Sequence, residues 1–421
     1  MIKLIRHNLV NLETGPRAIG TLLDEFAPRV LGLSSGAGPI AFAGGNVCEL
    51  IQAAAWLAET NHDGLVLPQE RLTTEIHQIL LESGSRVVNL TDGQVTAPPK
   101  PAAMQAGRIS LLTSGTTGTP KLIEHSWSTL FTMAKVRNLR PLNWLSTYQG
   151  GTYAWFQILT TIFFVEHQTL TVAADRDPAV QIEAALRHGV TALSATPTFW
   201  RFVLIQFAPA TLQQLPLQQI TLGGERIDQE ILDRLKGLFP EATLTHIYAS
   251  TEAGACVIVR DGKEGFPIAW LHDQVQDASE RPQLQIRDGL LWILSPHSAL
   301  NRPGWINTGD SVEIRGDRVF ILGRLEQSII NVGGMKFAAR DVEQELLRHP
   351  SVVWCRVSGR RAPLVGEVVA CDAVLKPGAP PVTESDLMQY CAQRIPSHMV
   401  PRFWQFLREI PMTDNLKTTV R

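Results

Sequence analysis

The chain has 421 residues, 44% of them hydrophobic and 19% charged, and a formal net charge of −2. That length allows two or three domains with sizeable cores, and the near-neutral balance supplies no basic face for nucleic acid. The apolar run at residues 162–165 is far too short to span a bilayer, so no membrane span is expected.

The N-terminal residues have neither an uninterrupted apolar stretch nor a small-residue cleavage site, so no secretory leader is expected. Residues 48–59 have the apolar spacing of a helix. Residues 96–107, rich in Pro, Ala and Gly, read as a surface connector before a buried strand at 108–113. Further strands are predicted at 191–196 and 219–222, and an amphipathic helix at 228–239 with Asp228 as its N-cap. This alternation predicts an α/β fold with a largely parallel sheet. After about residue 285 the runs shorten and alternate between Gly/Asp turns, as in antiparallel hairpins. Helices are predicted at 341–349 and 384–395, with a strand at 366–375 between them. The fold expected is therefore α/β: a large N-terminal domain, residues 1–323, of mostly parallel sheets and helices with a small β-rich subdomain. A small, mobile α+β C-terminal domain, residues 324–421, follows. The cysteines at 48, 256, 355, 371 and 391 are scattered, with no C-x-x-C pair, which fits buried thiols and a reducing cytoplasm.

Residues 113–121, TSGTTGTPK, carry the densest chemical signal. Glycines let backbone approach an anion, five hydroxyls can donate to oxygen, and Lys121 supplies a point charge. The position after a strand suits a phosphate loop. It is not a Walker A loop, because Pro120 fills the glycine slot before Lys121.

This stretch resembles the signature loop of the acyl-adenylate-forming enzymes: acyl-CoA and aryl-CoA ligases, nonribosomal adenylation domains and luciferases. The similarity continues in order along the chain, through Gly223-Gly224-Glu225, Tyr248-Ala249-Ser250-Thr251-Glu252, Thr308-Gly309-Asp310, Gly323-Arg324-Leu325-Glu326, the loop at 330–336 and Asp414-Asn415-Leu416-Lys417. The texture is closest to a short stand-alone acyl-CoA synthetase. The resemblance implies two half-reactions. ATP activates a fatty or aryl carboxylic acid to an acyl-adenylate with release of pyrophosphate. The acyl group then passes to a thiol, that of CoA or of a carrier protein's phosphopantetheine. Mg²⁺ is implied with the ATP.

The resemblance also implies residue roles. Thr113, Ser114, Gly115, Thr116, Thr117, Gly118 and Lys121 would hold the β- and γ-phosphates, with Thr116 and Lys121 acting in catalysis. Glu252 would bind Mg²⁺ and Thr251 an α-phosphate oxygen, beside Ala249 and Ser250. Gly224, Glu225 and Tyr248 would flank the adenine, and Asp310 with Arg324 the ribose. Lys417 would bridge the substrate carboxylate and the α-phosphate. Glu326 would be the hinge, and Gly333, Gly334 and Lys336 would border the thiol's path. Tyr148, Gln149, Gly150, Pro197, Gly223 and Ala253 would line the acid pocket. The signature loop starts earlier than is usual for the family, which implies a shortened N-terminal part. Gln149, Ala249 and Leu416 replace residues more common at their positions.

Other readings compete. Gly32-Leu33-Ser34-Ser35-Gly36 satisfies the G-x-S-x-G pattern of serine hydrolases, but no helix is predicted to follow. The dispersed histidines show no zinc spacing. A non-catalytic relative that only binds adenylate is the remaining alternative. Retention of Lys121, Glu252, Asp310, Arg324 and Lys417 argues against it.

Overall fold

The structure, a computed structural model, describes residues 3–31, 38–113, 120–132, 140–271, 281–324, 329–362, 366–378 and 380–411. Two large sheets dominate. One has eight strands; its six central members run parallel, in the order Thr243–Ser250, Gln219–Gly223, Ala192–Ala195, Asn143–Ser146, Thr169–Thr171 and Leu9–Leu12. Antiparallel strands Gly254–Val259 and Gly15–Ala18 close its two ends. The second sheet has six strands and carries the pair Arg108–Thr113 and Lys121–Ser126 at one edge.

Helices Ile19–Leu31, Val47–Thr60 and Tyr153–Phe164 are packed between the two sheets. Their apolar residues meet Phe42, Val66 and Ile109 of one sheet and Trp144 and Leu170 of the other in a single core. A second core covers the opposite face of the eight-stranded sheet, under helices Pro178–Arg187, Pro197–Gln206 and Gln229–Leu238. Trp155, Phe199 and Trp200 are completely buried and are core residues. This layering explains the near-continuous apolar texture of the parallel strands, which are covered on both faces.

A five-stranded antiparallel sheet follows, from Phe266–Pro267 to Arg318–Arg324. The next strand, Ile329–Val332, belongs to a different sheet. That sheet pairs it with Met335–Ala338 and Gly366–Leu375, and packs helices Ala339–Leu347 and Glu384–Ala392 in a separate core. The architecture is thus a large α/β part, a small β-rich part and a smaller α+β part, in chain order.

The predicted elements are present. The helix at 47–60 is entered through a capping box on Asn46, and Asp228 caps the helix Gln229–Leu238 by accepting from the Ile231 N–H at 3.0 Å. Among the described residues no helix is long and apolar enough to cross a membrane. The G-x-S-x-G segment lies outside the described residues.

Candidate functional site

Two cavities meet at the carboxyl ends of the parallel strands, where open α/β sheets commonly bind ligands. The first, about 240 Å³, lies between the eight-stranded and five-stranded sheets. Gly224, Glu225, Tyr248, Ala249, Asp310 and Gly323 are on its wall. The second, about 230 Å³, lies between the eight-stranded sheet and helix Tyr153–Phe164. Gly224, Ile247 and Ala249 line both, so the two cavities share a wall.

The backbone at this junction is specialised. Gly224 follows the end of its strand with φ at +83°, a region that a side chain strains to enter. The strand Thr243–Ser250 carries a register shift at Tyr248/Ala249, and such bulges re-aim side chains beside sites. Tyr248 donates its hydroxyl proton to Asp310 Oδ2. Burial first, and the Asp310 charge second, push the Tyr248 phenol well above its ordinary value, so it remains a donor. Asp310 stands in the strand Ile306–Arg315 and is held by Thr308, whose Oγ1 accepts from the Asp310 N–H at 3.1 Å and donates to the Leu291 carbonyl at 2.8 Å. In the antiparallel register Asp310 is opposite Arg324. Glu225 accepts from the Thr198 N–H at 3.0 Å, which ties the strand end to the start of helix Pro197–Gln206.

The hydroxyl-rich loop joins two antiparallel strands. Thr113 and Lys121 face each other at the end of the pair, and residues 114–119 lie outside the described residues. Lys121 is exposed. The pair is fixed at its other end by Asp63, completely buried, which accepts from Arg108 at 2.7 Å and from the Gln105 N–H at 2.9 Å. His125 links this hairpin to the Glu252 turn, a link that sequence reasoning missed. Its Nε2 lies 2.7 Å from the Thr251 carbonyl, which can only accept, so Nε2 carries the proton. Burial pulls the imidazole down to about 4, which keeps it neutral. The turn is tightened by the Ala253 N–H donating to Ser250 Oγ at 3.0 Å, and by the Ala299 N–H donating to the Glu252 carbonyl at 2.8 Å. The half-buried Glu252 carboxylate has no hydrogen-bond or ion-pair partner among the described residues.

Of the residues expected to touch the acid, Tyr148 and Gly223 line the second cavity. Tyr148 Oη lies 3.4 Å from Ser194 Oγ, and burial raises the phenol to about 12. Gln149, Gly150, Pro197 and Ala253 are not on its wall. Gln149 is buried and donates its amide to Glu70 at 2.9 Å. Pro197 opens a helix, and Ala253 is fully buried. Gly333 and Gly334 form the turn between Ile329–Val332 and Met335–Ala338, with φ of +59° and +90°, as a two-residue hairpin turn requires. They and Lys336 are exposed and line neither cavity. Glu326 and Lys417, like Ser114, Gly115, Thr116, Thr117 and Gly118, lie outside the described residues, as does the Arg324 side chain. Away from the site, the fold brings exposed His7, Glu166 and His167 together, a grouping invisible in the spacing of the histidines.

Comparison with known proteins gives the family and the fold. Residues 8–300 match the family model for the AMP-binding enzyme, and residues 341–417 that for its C-terminal domain. Among curated relatives, a peroxisomal trans-cinnamate:CoA ligase of Petunia hybrida is 25% identical over 72% of this chain and 60% of its own length. A 4-chlorobenzoate–CoA ligase of Arthrobacter is 27% identical over 81% of this chain and 69% of its own. The chain thus spans about two thirds of the length of these relatives. Among solved structures, the o-succinylbenzoate CoA synthetase of Bacillus subtilis in complex with its acyl-adenylate intermediate superposes with a TM-score of 0.71 and 19% identity. That match covers 98% of this chain and 94% of the other. The fold, the order of motifs and the matched domains lead to one statement: this chain belongs to the AMP-binding enzyme family.

Proposed function

We propose that the protein activates a carboxylic acid with ATP, forming an acyl-adenylate, and passes the acyl group to a thiol. The observation that carries this reading is the pair of cavities sharing Gly224, Ile247 and Ala249. One has a ribose-type acceptor, Asp310, buttressed by Tyr248; the other is a mostly apolar slot. A nucleotide in the first and an acid in the second would meet at the shared wall, which is the alignment adenylation needs.

The acid's carboxylate oxygen attacks the α-phosphorus and pyrophosphate departs. The thiol sulfur then attacks the acyl carbon and AMP leaves. Two anions must approach in the first step, so charge neutralisation and orientation dominate. Tyr248 holds Asp310 in place to accept from the ribose hydroxyls, and Arg324, opposite Asp310 in the antiparallel register, would assist there. Lys121 and the hydroxyls of residues 113–117 bind the terminal phosphates. Lys417 compensates charge between the carboxylate and the α-phosphate. The Glu252 carboxylate, without a partner among the described residues and fixed beside the hairpin through His125, is a hard oxygen donor that suits Mg²⁺ shared with phosphate oxygens. When bound, that ion would supply further neutralisation of the phosphates. The C-terminal part, residues 324–421, would turn about Glu326 between the half-reactions and bring Gly333, Gly334 and Lys336 to the thiol. CoA and a carrier protein's phosphopantetheine offer the same reacting thiol. The aromatic acids named for the two relatives support an aryl rather than a fatty substrate.

The test separates the half-reactions. Lys417→Ala is expected to abolish acid-dependent pyrophosphate release while sparing thioester formation from supplied acyl-adenylate. Equal loss of both would overturn the assignment of Lys417. Glu252→Gln is expected to raise the Mg²⁺ concentration needed for half-maximal rate; an unchanged Mg²⁺ response would remove Glu252 from the metal site.

A further inference from the structure

The second cavity is not the smooth apolar tunnel that an alkyl chain would need. Period-two alternation along neighbouring parallel strands puts Gln219, Thr221 and Gly223 on one face, beside Thr245 and Ile247 in register. Gln219 Nε2 donates to Thr221 Oγ1 at 3.2 Å and to Thr245 Oγ1 at 3.1 Å, with the amide orientation assigned from this network. Both amide hydrogens are thereby used. The two threonine hydroxyl hydrogens and Gln219 Oε1 have no further partner among the described residues. Thr245 is only 2% exposed. The cluster therefore presents two donors and one acceptor to the cavity. An alkyl chain laid against it would strip these groups of water and return nothing, which is costly.

Size and spacing narrow the occupant. A cavity of roughly 150 Å³ holds benzene, so 230 Å³ takes one ring and a short arm. Thr221 is two residues below Gly223, roughly 7 Å along the strand. That is about the span from a carboxyl group across one ring to its para substituent. Trp144 and Ile158 supply apolar walls for such a ring. Arg260, also on the wall, is exposed.

From these observations we infer that Gln219, Thr221 and Thr245 form a specificity site for an aromatic acid bearing a hydroxyl group opposite its carboxyl arm. The hydroxyl accepts from a threonine and donates to Gln219 Oε1. This rests on the adenylation reading for the position of the carboxylate near Gly223. The three residues read the substrate and take no part in the bond changes.

The test compares 4-hydroxybenzoate with benzoate, 4-hydroxycinnamate with cinnamate, and octanoate. Acid-dependent pyrophosphate release is measured for each, together with calorimetric binding of each acid to the full chain. The expected result is a preference in kcat/KM for the hydroxylated member of a pair of about tenfold to a hundredfold. Thr245→Val and, separately, Thr221→Val should bring that ratio toward one, and Thr245→Ser should restore it. Pyrophosphate release without hydroxyl preference, or with octanoate favoured, would overturn the specificity site and leave adenylation standing. Preferential binding of the hydroxylated acid, lost in Thr245→Val, with no pyrophosphate release, would support the specificity site and overturn adenylation. Neither binding nor release with a hydroxylated acid would overturn the inference.

Discussion

At the scale of single residues, the site depends on groups whose ionisation is set by burial. His125 is neutral because it is desolvated, and its Nε2 proton holds the Thr251 carbonyl. Its folded value of about 4 lies below the ordinary 6.5. Between these values the unfolded chain binds a proton that the folded chain refuses. The His125 contribution is therefore fully present above pH 6.5 and is lost as pH falls toward 4, by up to roughly 1.4 kcal/mol per pH unit. Chemical denaturation from pH 7.5 to 4.5 should show this slope, and His125→Gln should flatten it. Tyr248→Phe removes the donor to Asp310 while keeping the ring. It should raise KM for ATP roughly fivefold to tenfold with a smaller change in kcat. A change in kcat alone would mean that Tyr248 does not support nucleotide binding. None of these links was legible in the sequence. His125 lies four residues beyond the motif that ends at Lys121, and its partner Thr251 is 126 residues away. The residues inside motifs were legible as chemistry, whereas what holds them depends on contacts between distant elements.

At the scale of elements, local pattern was the better guide. Apolar periodicity and capping residues located the helix after Asp228 and the strand Arg108–Thr113 because both signals are local. The same local reading placed the hydroxyl-rich loop after a strand. That the loop joins an antiparallel pair follows from the register of Thr113 with Lys121. The acid pocket was the least legible part. Gln149 and Tyr148 are adjacent, yet one is turned to Glu70 and the other into the cavity. The cluster of Gln219, Thr221 and Thr245 reads in sequence only as polar interruptions of two apolar strands. The hairpin's anchor provides a test. Removing Asp63 leaves the Arg108 guanidinium, 12% exposed, with Glu124 at 3.1 Å as its one acid partner among the described residues. Asp63→Ala should cost about 3 kcal/mol of stability, read from the midpoint of chemical denaturation. A loss within the range of an exposed pair would show that the anchor is dispensable.

At the scale of the whole molecule, the C-terminal part meets the rest of the chain, among the described residues, at contacts that include an ion pair and an apolar cluster. Arg340, 5% exposed, donates to Glu313 of the five-stranded sheet. Trp354 packs with Ile410 beside Ile205, in helix Pro197–Gln206. Both contacts must break if this part turns between half-reactions. Replacing Glu313 and Arg340 by cysteine and joining them with a short bifunctional thiol reagent should hold one arrangement. One half-reaction should then fall at least tenfold relative to the other, and the unlinked variant should show no such split. Equal rates in the linked protein would show that no rotation is needed.

On this reading an acid and ATP react across the shared wall of the two cavities. The most direct measurement is pyrophosphate release from Mg·ATP with aromatic, fatty and amino acids, with and without CoA. Release should require an aromatic acid and rise when a thiol acceptor is added. Nucleotide binding without pyrophosphate release, for every acid offered, would contradict it and favour a protein that binds adenylate without turnover.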